Sequence, residues 1–269
     1  MGLQGKAALV GVADYKNVRK YTGKRKFYLE QWAELTQMAL ADAGLSKDDI
    51  DGICCSSIPE SDLFAPATVA EYLGLKVNFA EMVDLGGASS VSMIWRAAAA
   101  IALGICEAVV CAAPGIPIPS NPDKGPRDPN RFYGSTSANW GSPQTEFDVP
   151  YGNVAQNVGY ALIAQRYADA YGYDERALAK IAADQRTNAQ GNPKAVFHGQ
   201  PITIDDVLQS KMVADPLHVL EIVMPCAGGS ACIVVSERLA RKCKHRPVYV
   251  TGCGEHLTTR SVTYAEDMT

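Results

Sequence analysis

Residues 79–104 read FAEMVDLGGASSVSMIWRAAAAIALG, passing from a short apolar run through two glycines into a long apolar stretch. The run FAEMVD has the length of a buried strand, and the stretch after Ser90 has the character of a buried helix. In α/β enzymes a turn of this kind often holds a catalytic side chain at the N-terminus of the helix. Here the turn contains Gly86 and Gly87, which have no side chain. The stretch therefore predicts an α/β fold and leaves the nucleophile unidentified.

Strands and helices alternate on both sides of this stretch. Apolar runs predict strands, and apolar residues at the helical period, closed by glycines, predict helices. Such alternation is typical of a layered α/β sheet with crossover connections. The predicted strands lie at 6–12, 51–57, 79–84, 107–114, 229–235 and 247–252, and the predicted helices at 28–43, 65–74 and 90–104.

The composition changes after residue 113. Residues 114–153 are rich in Pro, Gly, Asn and Ser, which is too long a stretch for an ordinary connection. Two helical segments follow, at 154–171 and 174–190, and a short helix capped by Thr203 comes after them. We therefore expect a core (1–113 and 226–246) interrupted by a mostly helical insertion (114–225).

The overall composition excludes several classes of protein. With 47% hydrophobic residues among 269, the chain can bury a sizeable core, and its net charge of −4 disfavours nucleic acid as the main partner. The chain contains no apolar run of 18 residues and no signal-peptide pattern at its start. We expect a cytoplasmic protein without a membrane span.

The cysteines and histidines do not form a metal-binding pattern. Eight cysteines and four histidines are present without a C-x-x-C pair, and the sequence CGEH at 253–256 is a lone C-x-x-H. Cys54, Cys55, Cys111 and Cys232 lie in apolar, strand-like runs. We expect buried reduced thiols and no metal site.

Two long stretches carry a resemblance to a known family. Residues 160–242 include the tyrosine-headed helix, the NP of GNPKA, the run ITIDDVLQS and the segment ADPL, in the family's order and spacing. ALADAGLSKDDIDGI at 39–53 is a further match. The chain resembles the thiolase superfamily, in the sterol-carrier-protein-x or lipid-transfer-protein branch. The resemblance implies two similar α/β halves in a five-layer α-β-α-β-α sandwich, with a helical loop domain that binds coenzyme A.

The resemblance also assigns the end of the chain. It places the start of the C-terminal half at 247–269, without the His- and Cys-containing motifs of that half. We expect the chain to be part of a longer protein, with a short paralogue as the alternative.

The same resemblance places the thiolase nucleophile, a cysteine, at Gly86. No cysteine lies near this turn in the sequence, and we expect the nearest hydroxyl, that of Ser89, to cap the helix. A serine nucleophile would need a base beside it, and no histidine lies nearby in the sequence. The backbone of Gly86, Gly87 and Ala88 could still polarise an acyl-CoA carbonyl, as oxyanion holes do.

A thiolase fold without the cysteine is similar to the steroid side-chain aldolases of this branch. The resemblance implies a retro-aldol carbon–carbon lyase acting on a bulky acyl-CoA, with acid and base tyrosines in the C-terminal half. It also implies an OB-fold partner of the DUF35 type and a homodimer paired through FAEMVD. The alternatives are an acyltransferase of ordinary thiolase type and an inactive acyl-CoA-binding or scaffold subunit.

Coenzyme A is implied as part of the substrate, and no cofactor is expected. For its phosphates the candidate cations are Arg166, Arg186, Lys194 and Lys211. Ala227, Gly228 and Gly229 match the family segment that lines the pantetheine arm, although the family's acid is a glycine here. The remaining candidates for ligand contact are Tyr133, Trp140, Phe147, Tyr151 and His198.

Overall fold

The computed structural model describes residues 2–120, 141–172, 174–259 and 261–268. They divide into two compact units: a core unit within residues 1–120 and 226–255, and a helical unit within 121–225 and 256–269. The core unit contains β1 (Ala7–Asp14), α1 (Tyr28–Ala43), β2 (Gly52–Cys55), α2 (Ala65–Leu73), β3 (Phe79–Met82), α3 (Ser89–Ala102), β4 (Ala108–Gly115), then β7 (Gly228–Ser236), α7 (Glu237–Ala240) and β8 (Val248–Tyr249). The helical unit contains α4 (Gln156–Tyr171), α5 (Glu175–Gln190), α6 (Ile204–Leu208), β5 (Met212–Ala214) and β6 (Leu217–His218).

The predicted strands and helices are confirmed, with differences at their ends. Helix α1 has the predicted bounds because Gly44 adopts a left-handed conformation (φ 73°) that ends it. Helix α3 starts at Ser89 because a 3-10 turn at Gly86–Ala88 leads directly into it. Strand β8 is shorter than predicted because it pairs with only two residues of β1. The β5–β6 hairpin was not predicted, since its strands are too short to show a period.

The core unit is built on one mixed six-stranded sheet in the order β3-β2-β4-β7-β1-β8. Strand β2 is parallel to β3 and β4, whereas β7 is antiparallel to both β4 and β1. Strands β1, β2, β3 and β4 therefore all run in the same direction. Their carboxyl ends meet at one edge of the sheet, where β7 begins.

Alternate residues of the central strands face two separate apolar layers. Ile53 and Val110 pack with Trp32 and Leu35 of α1, whereas Val109 packs with residues of α3 on the opposite face. This alternation is the strand period of two. Both faces of the sheet are thus covered by helices.

Helix α1 approaches the sheet closely because small residues face each other. A Cβ added to Gly11 of β1 would lie 2.3 Å from the carbonyl oxygen of Ala39 and 2.7 Å from Cβ of Ala43. Both distances are far below van der Waals contact. Gly11 therefore sets the distance between α1 and β1.

None of the helices in the described part of the chain combines the length and the apolar character needed to cross a bilayer.

Candidate active site

The turn that follows β3 lies at the carboxyl edge of the sheet, where ligands commonly bind in α/β proteins. Gly86 has φ 56°, and a Cβ added there would meet no atom within 4 Å. Gly86, Gly87 and Ala88 are all exposed. The turn is therefore exposed at the N-terminus of α3, but the Ala88 N–H already donates to the Leu85 carbonyl at 3.2 Å and the Ser89 N–H donates to the Gly86 carbonyl.

Ser89 holds this turn together. Its hydroxyl accepts a hydrogen bond from the Leu85 N–H at 2.8 Å and donates one to the Gly86 carbonyl at 2.8 Å. The residue is only 7% exposed. The prediction that Ser89 caps α3 is wrong, because its hydroxyl accepts from the Leu85 N–H before the helix and not from an N–H of α3. Both hydrogen bonds support a structural role for Ser89 within the turn, and a catalytic role stays a prediction.

One carboxylate belongs to the turn. Asp84 Oδ1 accepts a weak hydrogen bond from the Gly86 N–H at 3.4 Å. A negative charge here opposes the positive end of α3 and the binding of an anion beside it. Because the Gly86 and Ala88 N–H groups are engaged, an oxyanion at this turn would be stabilised mainly by the Gly87 N–H, against a partly opposing charge.

The cysteines of the core unit do not supply a nucleophile at the turn. Cys54, Cys55, Cys106 and Cys111 are buried in the core, as expected for most of the thiols. Burial raises the pKa of both Cys55 and Cys106 to about 12, so these thiols remain protonated at neutral pH. Cys226 and Cys253, in contrast, are exposed.

The segment that begins β7 packs against the loop after β1. Ala227 exchanges two backbone hydrogen bonds with Val18, of 2.8 and 3.0 Å. A Cβ added to Gly228 would come within 2.0 Å of Asn17 Oδ1, and one added to Gly229 would come 3.1 Å from the Tyr15 ring. Gly229 is thus constrained by its φ of 149° and by close backbone atoms of β4, whereas the Asn17 side chain could turn away from a Cβ at Gly228. Contact of this segment with pantetheine stays a prediction.

The four candidate cations lie in separate segments of the helical unit. The Arg186 guanidinium stacks 3.9 Å from the Phe197 ring centroid and donates to the Gln200 carbonyl at 2.8 Å. Arg166, Lys194 and Lys211 are exposed. Contact of any of the four with a phosphate stays a prediction.

The aromatic candidates are only partly described. Tyr151 is 86% exposed and Phe147 is 58% exposed, whereas Tyr133 and Trp140 lie outside the described residues. His198 is exposed, with Nδ1 3.3 Å from the Ala189 carbonyl. Contact of these side chains with a ligand stays a prediction.

Glu255 of the CGEH segment forms an ion pair with α3. Both its carboxylate oxygens accept from the Arg96 guanidinium, at 2.8 and 3.1 Å, and the Trp95 indole donates to it at 3.0 Å. These contacts, with Arg96 the largest influence, lower the pKa of Glu255 to about 2. In the described ranges no three His, Cys, Asp or Glu side chains are grouped to hold a metal ion.

Sequence reasoning missed an apolar groove in the helical unit. A groove of about 880 Å³ runs between α4, α5 and residues 217–223. Tyr160 and Tyr167 of α4 and Ile181 of α5 line it. The only signal in the sequence was the row of tyrosines at 160, 167 and 171, which is also typical of ordinary packing.

Comparison with known proteins identifies the family. The 17-hydroxy-3-oxo-4-pregnene-20-carboxyl-CoA lyase of Mycobacterium tuberculosis is 31% identical over 267 residues, 94% of this chain and 63% of the relative. The solved structure of the Ltp2-ChsH2(DUF35) aldolase superposes with a TM-score of 0.80 at 28% identity, over 99% of this chain and 66% of that one. The resemblance to the thiolase superfamily, in its sterol-carrier-protein branch, is confirmed.

The thiolase fold is also seen in more distant structures. A monomeric SCP2-thiolase-like protein from Mycobacterium smegmatis superposes with a TM-score of 0.61 at 19% identity, over 88% of this chain and 47% of its own. A scan against protein-family models gave no match. The chain spans less than two thirds of the length of these thiolase-superfamily relatives.

Proposed function

We propose that the protein is a carbon–carbon lyase of the retro-aldol type that acts on a β-hydroxyacyl-CoA, such as a steroid side-chain thioester. The turn at Gly86–Ala88 carries the proposal. It is an exposed helix N-terminus with no nucleophile, so it suits stabilisation of an oxyanion and cannot form an acyl-enzyme. The 31% identity to a CoA-thioester lyase supports the same chemistry.

The proposed reaction needs no covalent intermediate. A base takes the proton of the β-hydroxyl, the bond between the α- and β-carbons breaks, and a carbonyl forms at the β-carbon. The electron pair passes to the thioester, whose enolate oxygen the Gly87 N–H of the turn stabilises. Protonation of the α-carbon then releases a shortened CoA thioester.

Coenzyme A enters the proposal as part of the substrate, with no separate cofactor. A DUF35-type partner is proposed because such a partner forms part of the Ltp2-ChsH2(DUF35) aldolase. A homodimer is proposed through β3, which is an edge strand and carries Met82 at 50% exposure. A cytoplasmic location stays a prediction.

Light scattering tests the proposed homodimer. Met82→Lys should convert a dimer to a monomer, because it places a charge on an edge strand. If the Met82→Lys variant is still a dimer, the dimer contact does not lie at β3.

The exposed thiol of Cys226 favours a second candidate, an acyltransferase. Cys226 directly precedes Ala227, within the segment predicted to line pantetheine. An acyltransferase would show one cysteine that iodoacetamide labels stoichiometrically and that acyl-CoA protects. Slow, uniform labelling would exclude this candidate. Normal CoA binding without turnover would instead indicate an inactive subunit.

The lyase is tested with the full-length protein, alone and with a DUF35-type partner, on β-hydroxyacyl-CoA substrates. Release of the carbonyl product and the shortened thioester is followed by mass spectrometry. Gly87→Pro removes one N–H at a position where the first helical turn tolerates proline, and should lower kcat by about 10²–10³. Gly87→Ala keeps the N–H, and its Cβ would meet no atom within 4 Å, so it is the matched control.

Two results would contradict the lyase proposal. The first is the absence of cleavage with every β-hydroxyacyl-CoA in the presence of the partner. The second is equal activity of Gly87→Pro and Gly87→Ala in protein whose unfolding curve matches the wild type.

A further inference from the structure

The helical unit contains a polar cavity beside its apolar groove. The cavity has a volume of about 250 Å³ and is bounded by the turn at 144–151, the start of α4 and residues 261–262. Gln156, Tyr160 and Ile163 line both the cavity and the 880 Å³ groove. The two spaces therefore adjoin each other along α4.

A buried carboxylate lines the cavity. Asp148 is 3% exposed, and its two oxygens accept hydrogen bonds from the hydroxyls of Ser261 at 2.8 Å and Thr263 at 2.5 Å. A carboxylate has about four acceptor positions, so these bonds leave capacity for a further donor. Its charge also disfavours an anionic ligand in the cavity.

Gln144 is a second polar side chain that lines the same cavity. The residue as a whole is 8% exposed. Its amide can offer a ligand both a donor and an acceptor. Together with Asp148, Gln144 therefore gives this space two polar groups that suit the polar end of a ligand.

The groove beside the cavity fits the other end of such a ligand. Its volume lies in the range of about 300–1,000 Å³ that is usual for pockets of drug-sized ligands. Large apolar side chains around it are exposed: Tyr160 is 57%, Tyr167 50%, Ile181 56% and Val223 81% exposed. A ligand that covers them must have a bulky apolar body.

We propose that the groove and the cavity form one site for a bulky apolar molecule that carries a neutral hydroxyl group. The apolar body lies in the groove, and the hydroxyl donates to Asp148 and contacts the Gln144 amide. This inference rests on the proposed function, in which the molecule is the hydroxylated acyl part of the substrate. It assigns recognition of the acyl group to the helical unit.

Two steroids that differ in one hydroxyl test the site in the full-length protein. Binding of 17α-hydroxyprogesterone and of progesterone is measured by equilibrium dialysis. The wild type should bind the hydroxylated steroid about tenfold or more tightly, as expected for a hydrogen bond to a charged acceptor. Gln144→Met should reduce this ratio, whereas Gln209→Leu, at an exposed position of the same unit, should leave it unchanged.

Gly159 allows the cavity to be filled without disturbing the fold. It lies in α4 and lines the cavity, and a Cβ added there meets only the methyl groups of Val262, at 3.7 and 4.0 Å. Gly159→Leu should remove the preference for the hydroxylated steroid. Gly159→Ala also replaces the helical glycine but adds only one carbon atom to the cavity. This variant should keep the preference for the hydroxylated steroid.

The inference is overturned if the wild type binds neither steroid, if it does not distinguish them, or if Gly159→Leu still distinguishes them. These outcomes are independent of turnover. Steroid discrimination without cleavage of any β-hydroxyacyl-CoA would remove the proposed function and leave the binding site. Cleavage of a β-hydroxyacyl-CoA without discrimination between the two steroids would remove the binding site and leave the proposed function.

Discussion

Replacing Gly86 with cysteine tests the turn most directly, because it places a thiol where the family has its nucleophile. A Cβ at this position meets no atom within 4 Å, so no clash is expected. The backbone has φ 56°, and a left-handed conformation costs a residue other than glycine about 1–2 kcal/mol. Gly86→Cys and its control Gly86→Ala should both lower the free energy of unfolding by about this amount, measured by urea denaturation.

The pKa of the new thiol then reports on the field at the turn. A helix N-terminus stabilises an exposed negative charge by about 0.3–1 kcal/mol, which corresponds to a pKa lowered by about 0.2–0.7 units. Asp84, which accepts from the Gly86 N–H at 3.4 Å, opposes this effect. We therefore expect the pKa to fall clearly below its ordinary value of about 8.5 when Gly86→Cys is combined with Asp84→Asn.

Alkylation by iodoacetamide across pH 6–10, followed by peptide mass spectrometry, measures this pKa, and the exposed Cys253 is an internal reference. If the thiol at position 86 titrates at or above the pH at which Cys253 does, even with Asp84→Asn, the turn does not favour anions. The oxyanion argument would then fail. A loss of stability far above 2 kcal/mol, shared by Gly86→Ala, would instead show that the turn is not open.

Three further predictions concern the core unit. Gly11→Ala should lower the free energy of unfolding by about 1–3 kcal/mol because its Cβ would overlap α1, whereas Gly252→Ala, whose Cβ meets no atom within 4 Å, should be neutral in the same denaturation experiment. Ser89→Ala should cost about 1–3 kcal/mol in thermal or urea unfolding, because the Leu85 N–H loses its acceptor; an unchanged stability would contradict the turn geometry. The pKa of Glu255 is lowered to about 2 by Arg96, so its ion pair stabilises the fold above the ordinary carboxyl pKa and is lost as the pH falls towards 2. The stability difference between the wild type and Glu255→Gln should therefore narrow from pH 5 to pH 2, and a constant difference would count against the ion pair.

Helices and strands whose apolar residues follow a regular pattern over many positions were predictable from the sequence. Helix α1 repeats apolar residues over four turns and ends at Gly44, and β4 is a continuous apolar run, so both were placed without knowledge of their partners. The absence of a nucleophilic side chain at Gly86 could also be predicted from the sequence, since glycine has no side chain in any fold. These features depend on local periodicity and residue chemistry alone.

The site depended on contacts between residues far apart in the chain. Asp148 meets Ser261 and Thr263 more than a hundred positions away, so no local pattern marks the polar cavity. A Cβ on Gly229 would lie 3.1 Å from the Gly115 nitrogen, which only the pairing of β4 with β7 reveals.

The sequence by itself thus determined the α/β alternation and a glycine turn without a side chain at 86–87, because short-range periodicity and residue type carry that information; the resemblance to the thiolase superfamily then implied that the nucleophile is missing there. Tertiary structure alone decided that Gln144, Asp148 and Ser261 line one cavity. Burial and unpaired hydrogen-bonding capacity arise only when separate segments pack together.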